Sequence, residues 1–173
     1  MLSRLKRAFA GWLRSLVLQM DWWNVMPLRE GAILPTKAKD GDLAWDIYYC
    51  PVGSPSNPPG IIRNNGSIAL ELHTGIAMAF PKEFGLVLRG KSGLALKYLW
   101  EPIGGVIDSG YRGELIVLMS CPEGGEFNVP HYPSPGDKIC QGIFVFNMKA
   151  SPNISYKLPD SSRGKDGFGS TGC

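Results

Sequence analysis

The chain has 173 residues and is 44% hydrophobic, enough for one domain with a sizeable core plus an appendage. Its formal charge is +3, but Arg4, Lys6, Arg7 and Arg14 all fall in the first twenty residues, and the remainder carries 14 basic against 15 acidic side chains. A body so close to neutral excludes the basic stripe of a duplex-binding surface. Scattered Cys50, Cys121, Cys140 and Cys173 with only two histidines argue against a zinc site, and no run approaches the ~20 apolar residues of a membrane span.

Residues 2–20 carry Leu2, Leu5, Phe9, Trp12, Leu13, Leu16 and Met20 at helical spacing, with Arg4, Arg7 and Arg14 on the opposite side. The spacing predicts an amphipathic helix, the one convincing helix in the sequence. A basic, acid-free helix fits an organelle transit peptide, a membrane-surface helix, a docking helix or translated upstream sequence equally well. Free thiols fit a reducing cytosol, so the body is expected to be cytoplasmic.

From Leu34 the texture becomes short and strand-like. Ile68, Leu70 and Leu72 alternate with Ala69, Glu71 and His73, as in a half-buried strand. Gly85–Leu88, Glu114–Met119 and Lys138–Phe146 are further β-rich runs between turn residues. The proline- and glycine-rich segment CPVGSPSNPPG, residues 50–60, reads as an exposed loop. His73 and His131 read as packing or surface residues rather than ligands. Many short strands without helical alternation predict an all-β sandwich or barrel.

Five segments attract attention for chemistry. Asp46 lies within DLAWDIYY, Lys91-Ser92-Gly93 follows a strand as a turn, and GVIDSGYRGE (105–114) places Asp108 and Tyr111 in a tight turn before a strand. GDKICQ opens a strand at whose start stands Gln141, and RGKDGFGSTG (163–172) is a glycine-rich tail with Arg163, Phe168, Gly169, Ser170 and Thr171. Each alone is an ordinary turn or chain end. Together, in this order and separated by strands, they resemble the five motifs of the trimeric dUTPase family over about residues 26–173.

That resemblance implies a jelly-roll-like β-barrel over 24–160, an N-terminal extension over 1–23 and a flexible phosphate-binding arm over 161–173. It implies Mg²⁺-dependent cleavage of dUTP to dUMP and pyrophosphate by a homotrimer with sites shared between subunits. Asp108 corresponds to the aspartate that holds the attacking water, and Tyr111 to the tyrosine packed under the deoxyribose, leaving no room for a 2′-hydroxyl. Backbone groups of Gly105, Val106 and Ile107 would read the uracil edge. Asp46 would reach the hydrated metal. Lys91, Ser92, Gly93 and Gln141 would meet the phosphates. Arg163 would fork onto the γ-phosphate and Phe168 stack on the base, with Gly169, Ser170 and Thr171 adding donors.

The sequence departs from the family pattern at Lys91, where arginine is usual, at Ala44-Trp45, in the long 51–60 loop, and at Gly142, whose missing side chain predicts a less packed strand. Two rivals are weighed. A dCTP deaminase would need a glutamate inside the strand Leu115–Met119, which has none. A non-catalytic dUTP sensor would bind nucleotide without releasing pyrophosphate.

Overall fold

The computed structural model describes residues 23–54, 59–64, 67–121 and 132–162. The expected N-terminal helix, His131 and the tail from Arg163 lie outside them. The described residues fold into ten strands: β1 (Asn24–Pro27), β2 (Trp45–Tyr48), β3 (Gly60–Asn64), β4 (Ser67–His73), β5 (Ile76–Ala79), β6 (Phe84–Arg89), β7 (Glu101–Ile103), β8 (Val106–Ile107), β9 (Ile116–Cys121) and β10 (Lys138–Phe146). Among the described residues one short helix, α1 (Ser92–Tyr98), interrupts them. The all-β expectation holds, and the anticipated barrel takes the form of open sheets. Two have four strands each, in the orders β2-β10-β6-β8 and β3-β4-β9-β7, and β1 pairs with β5 in a third. Every pairing is antiparallel.

Period-two patterning explains how one core serves these sheets. Leu70 and Leu72 of β4 and Val117 and Met119 of β9 are fully buried, while Glu71 and Leu118 between them are not. They pack with Ile47, Leu86, Leu88 and Ile139 from the β2-β10-β6-β8 sheet. In β10 the alternation slips, because Ile139 and Cys140 are both buried. The register against β2 shifts between Lys138 and Cys140, and a bulge there lets consecutive side chains turn inward.

Gly142 departs from expectation in an instructive way. A Cβ at this position would lie 2.9 Å from Leu86 Cδ1. The neighbouring strand's leucine occupies the space that a side chain at 142 would take, so β10 is well packed and the glycine is the reason Leu86 can be buried.

The other surprise is α1. Lys91–Gly93 was expected as a turn, and it instead opens a helix capped at its end by Leu99 in the left-handed conformation (φ +52°), with Leu99 N–H donating to Ala95 C=O. That reversal carries the chain from the exposed Leu99 to Trp100, which is buried in the core.

Candidate active site

The site is best built from β6, because three segments that bear chemistry are registered against it or continue from it. At its C-terminal end Arg89 pairs with Gln141 of β10, and Gln141 pairs in turn with Asp46 of β2. The chain leaves β6 through Gly90 and Lys91 into α1. Gln141 Nε2 donates to Gly90 C=O at 2.9 Å, pinning that exit. Lys91 Nζ donates to Asp46 Oδ1, and Lys138 Nζ donates to Asp46 Oδ2 at 2.7 Å. Lys91, Ser92, Gly93, Lys138 and Gln141 all line one cleft of about 610 Å³. Ser92 and Gly93 are exposed at the start of α1, where helix N–H groups lack intrahelical acceptors.

Asp46 is 7% exposed. Burial works to raise its carboxyl, but the hydrogen bonds from Lys138 and Lys91 outweigh it and hold the group below the ordinary carboxylate value. Asp46 in turn raises Lys138 by accepting its hydrogen bond. Each carboxylate oxygen keeps a lone pair beyond its lysine. Asp46 can therefore accept a further hydrogen bond, as from a metal-bound water, while it stays paired with both lysines. Among the described residues no three His, Cys, Asp or Glu side chains converge on a metal position. Such a donor set suits Mg²⁺ that arrives with its waters on a polyphosphate. Beneath Gln141, burial pushes the Cys140 thiol up to about 12, so it stays protonated and inert at neutral pH.

The second group runs back along β6, from Gly105 against Leu88 to Asp108 beyond Leu86. Leu86 pairs with Ile107 and Val87 with Val106, so Asp108, one residue further, stands level with Gly85. Gly105 sits directly against β6: its C=O accepts from Leu88 N–H at 2.7 Å, and a Cβ there would lie 3.0 Å from Leu88 Cβ. That bond sets the phase of the antiparallel ladder. Gly105 and Ile107 turn their backbone groups toward β6, and Val106 turns its N–H and C=O outward. Since β8 is the last strand of its sheet, Val106 offers one donor and one acceptor to the open edge.

After β8 the chain makes a turn closed by Tyr111 N–H to Asp108 C=O at 3.1 Å, and Arg112 Nη1 donates to the carbonyls of Ser109 and Tyr111. Tyr111 Oη donates to the Glu114 carbonyl at 2.9 Å. The ring crosses close over Gly113, where a Cβ would come within 2.7 Å of Tyr111 Cζ. Val106, Ile107, Asp108, Tyr111 and Glu114 line a smaller concavity of about 220 Å³. The structure thus gathers the sequence-predicted residues into two clusters rather than one. Gly85 and Arg89, which mark the levels of Asp108 and Gln141 on β6, are four residues apart, about 13 Å at the usual strand rise.

Glu114 and Arg29 were not singled out by the sequence. Arg29 forks onto Glu114 with two bonds of 2.6 Å, Gly75 N–H donates to the same carboxylate at 2.8 Å, and His73 Nδ1 lies 3.1 Å away. Burial would raise this carboxyl, but the Arg29 fork, the Gly75 N–H and His73 lower it to about 2. Arg29, the His73–Gly75 segment and Glu114 come from three separate stretches, which is why no local motif marks them.

The network predicts a pH effect. Glu114's folded pKa lies below its ordinary 4.5, so its contribution is complete above about pH 4.5 and disappears as pH falls through about 2. The shift corresponds to about 3 kcal/mol. The thermal-stability gap between the wild-type protein and Glu114→Gln is expected to narrow steadily over that window. An unchanged gap from pH 5 to 2.5 in acid-titrated calorimetry would contradict the assignment.

Known proteins share both the sequence pattern and the fold of this chain. The dUTPase family model matches residues 61–172. The deoxyuridine 5′-triphosphate nucleotidohydrolase of Clostridioides difficile is 33% identical over 151 residues, 86% of this chain and 96% of the relative. That of Clostridium tetani is 38% identical over 149 residues, covering 84% and 92%. Among solved structures, a point mutant of the Staphylococcus bacteriophage 80alpha dUTPase with dUpNHpp superposes with a TM-score of 0.70 at 18% identity, over 89% of this chain and all of that one. A mutant dUTPase from phage phi11 of S. aureus, described with a structural Mg(II) ion, gives 0.61 at 17% identity over 80% of this chain. With two thirds of its length matched by the family model and its strands laid out as in those folds, the chain belongs to the dUTPase family.

Proposed function

We propose that the protein is a dUTP diphosphatase, hydrolysing Mg²⁺-bound dUTP to dUMP and pyrophosphate, and that it works as a homotrimer whose sites are shared between subunits. The observation that carries the second half is the separation along β6. A nucleoside triphosphate must be met at its base, sugar and phosphates at once, yet Asp108 and Tyr111 line one concavity while Ser92 and Gln141 line another. Threefold symmetry reconciles this by setting one subunit's Asp108 cluster against the next subunit's Ser92 cluster.

In that arrangement Val106 exchanges main-chain hydrogen bonds with the uracil edge. Tyr111 closes the space at the 2′ position, and Asp108 accepts a hydrogen bond from the attacking water. As the water oxygen bonds to the α-phosphorus, the bond from that phosphorus to the α–β bridging oxygen breaks, and pyrophosphate leaves. Ser92, the opening amides of α1 and Gln141 orient the phosphates, while Asp46 accepts from a metal-bound water. Mg²⁺ carried on the triphosphate supplies charge neutralisation. Lys91, spent on Asp46, contributes charge through that pair rather than as a forked phosphate ligand. Arg163, Phe168, Gly169, Ser170 and Thr171 of the tail close over the substrate.

Such an enzyme limits uracil incorporation into DNA and supplies dUMP for dTMP synthesis, a cytoplasmic task. Pyrophosphate release from dUTP, dCTP, dTTP and UTP, each with and without Mg²⁺, tests the proposal. Release from dUTP alone and only with Mg²⁺ is expected. Binding of dUTP without release would overturn hydrolysis, and equal release from dCTP would overturn the base assignment.

A further inference from the structure

Tyr111 stands on an exposed turn, yet its placement is fixed by specific contacts. Its ring lies over Gly113, and its hydroxyl donates to the carbonyl of Glu114. Glu114 is the residue whose side chain is held most tightly in this part of the molecule. Its carboxylate accepts a two-pronged guanidinium from Arg29, the Gly75 N–H and the His73 ring. Arg29 is itself tied down, since Nη1 also donates to Cys50 C=O at 3.3 Å and its neighbour Leu28 donates to Gly75 C=O at 2.7 Å. A rigid path therefore runs from the segment after β1 to the tyrosine hydroxyl.

We propose that Arg29, acting through Glu114, is a positioning residue that fixes the height of the Tyr111 ring and so sets discrimination against a 2′-hydroxyl. This rests on the dUTP-hydrolysing assignment and goes beyond it, since that assignment gives neither side chain a role. Steric selection between a hydrogen and a hydroxyl tolerates little play. The planar fork matters because two parallel bonds fix orientation as well as distance, which a lysine cannot do.

The test measures the ratio of kcat/KM for dUTP over UTP in the full-length protein, together with the ratio of affinities for non-hydrolysable analogues of the two. Arg29→Met and Glu114→Gln are each expected to lower both ratios, on the order of tenfold, as for other small misplacements in a site. Arg29→Lys should fall between them and the wild type. Val117→Ala, which loosens the core beneath β9, should reduce thermal stability and leave both ratios unchanged.

Folded Arg29→Met and Glu114→Gln proteins that discriminate as well as the wild type would overturn the proposal. Should both fail to fold, Arg29→Lys decides, and an unchanged ratio there refutes it. A loss of discrimination in Val117→Ala equal to that in Arg29→Met would also refute it, by reducing the effect to stability. The analogue ratios separate this proposal from the assignment beneath it. A wild-type protein that binds the deoxy analogue selectively but releases no pyrophosphate removes hydrolysis and leaves the positioning role testable by binding.

Discussion

Replacing Asp108 by Asn is expected to lower dUTP turnover by about 10²–10⁴-fold, the range typical of a lost general base, while leaving the affinity for a non-hydrolysable dUTP analogue close to that of the wild type. The local structure makes this substitution a clean one. The turn that carries Asp108 is closed by its main-chain carbonyl, which accepts from Tyr111, and by Arg112 on the carbonyls of Ser109 and Tyr111. The side chain is exposed and takes no part in that scaffold. Asparagine keeps the shape and loses only the capacity to accept a proton from water. Single-turnover pyrophosphate release beside analogue titration separates the two quantities. Turnover at the wild-type rate would remove Asp108 from the chemistry.

Mixing two inactive variants should restore activity. If one site combines Asp108 from one subunit with Ser92 and Gln141 from its neighbour, an Asp108→Asn protein and a Gln141→Ala protein fail for different halves. Dissociated and reassembled together, hybrid trimers regain sites in which both halves are intact. Random assembly of equal amounts leaves roughly a quarter of the sites complete in a threefold ring. Each variant refolded alone stays inactive. Sites contained within single subunits would give no recovery at any ratio, and light scattering that found only monomers would refute sharing outright.

The sequence made the fold class legible because β4 and β9 carry their burial in period two, β10 is a β-rich run between turn residues, and DLAWDIYY marks β2. Strands of other kinds escaped. β5 (IAMA) has three consecutive buried residues and so shows no alternation. β1 and β7 are short, contain proline and sit largely exposed. β3 begins at Gly60, the last residue of the segment read as a loop. α1 spans only seven residues, includes Gly93 and buries none of its side chains, so a 3.6-residue period has no room to register. The site divides the same way. Asp108, Tyr111, Ser92 and Gln141 sit in local motifs whose spelling reflects backbone constraints. Arg29, His73, Gly75 and Glu114 meet only through tertiary structure, and Lys138's hold on Asp46 depends on the pairing of β10 with β2. Separation along β6 is likewise a property of register, which no linear spacing encodes.

The outward-facing amide and carbonyl of Val106 have a consequence for how such a protein can change over generations. On the proposed assignment, almost any replacement at position 106 leaves these main-chain atoms in place, although the residue also lines the concavity. Proline is the exception, since it deletes the N–H. Base selectivity held this way is inherited with the strand itself, and it is lost through changes that shift β8 against β6, such as filling the space at Gly105 that Leu88 now occupies.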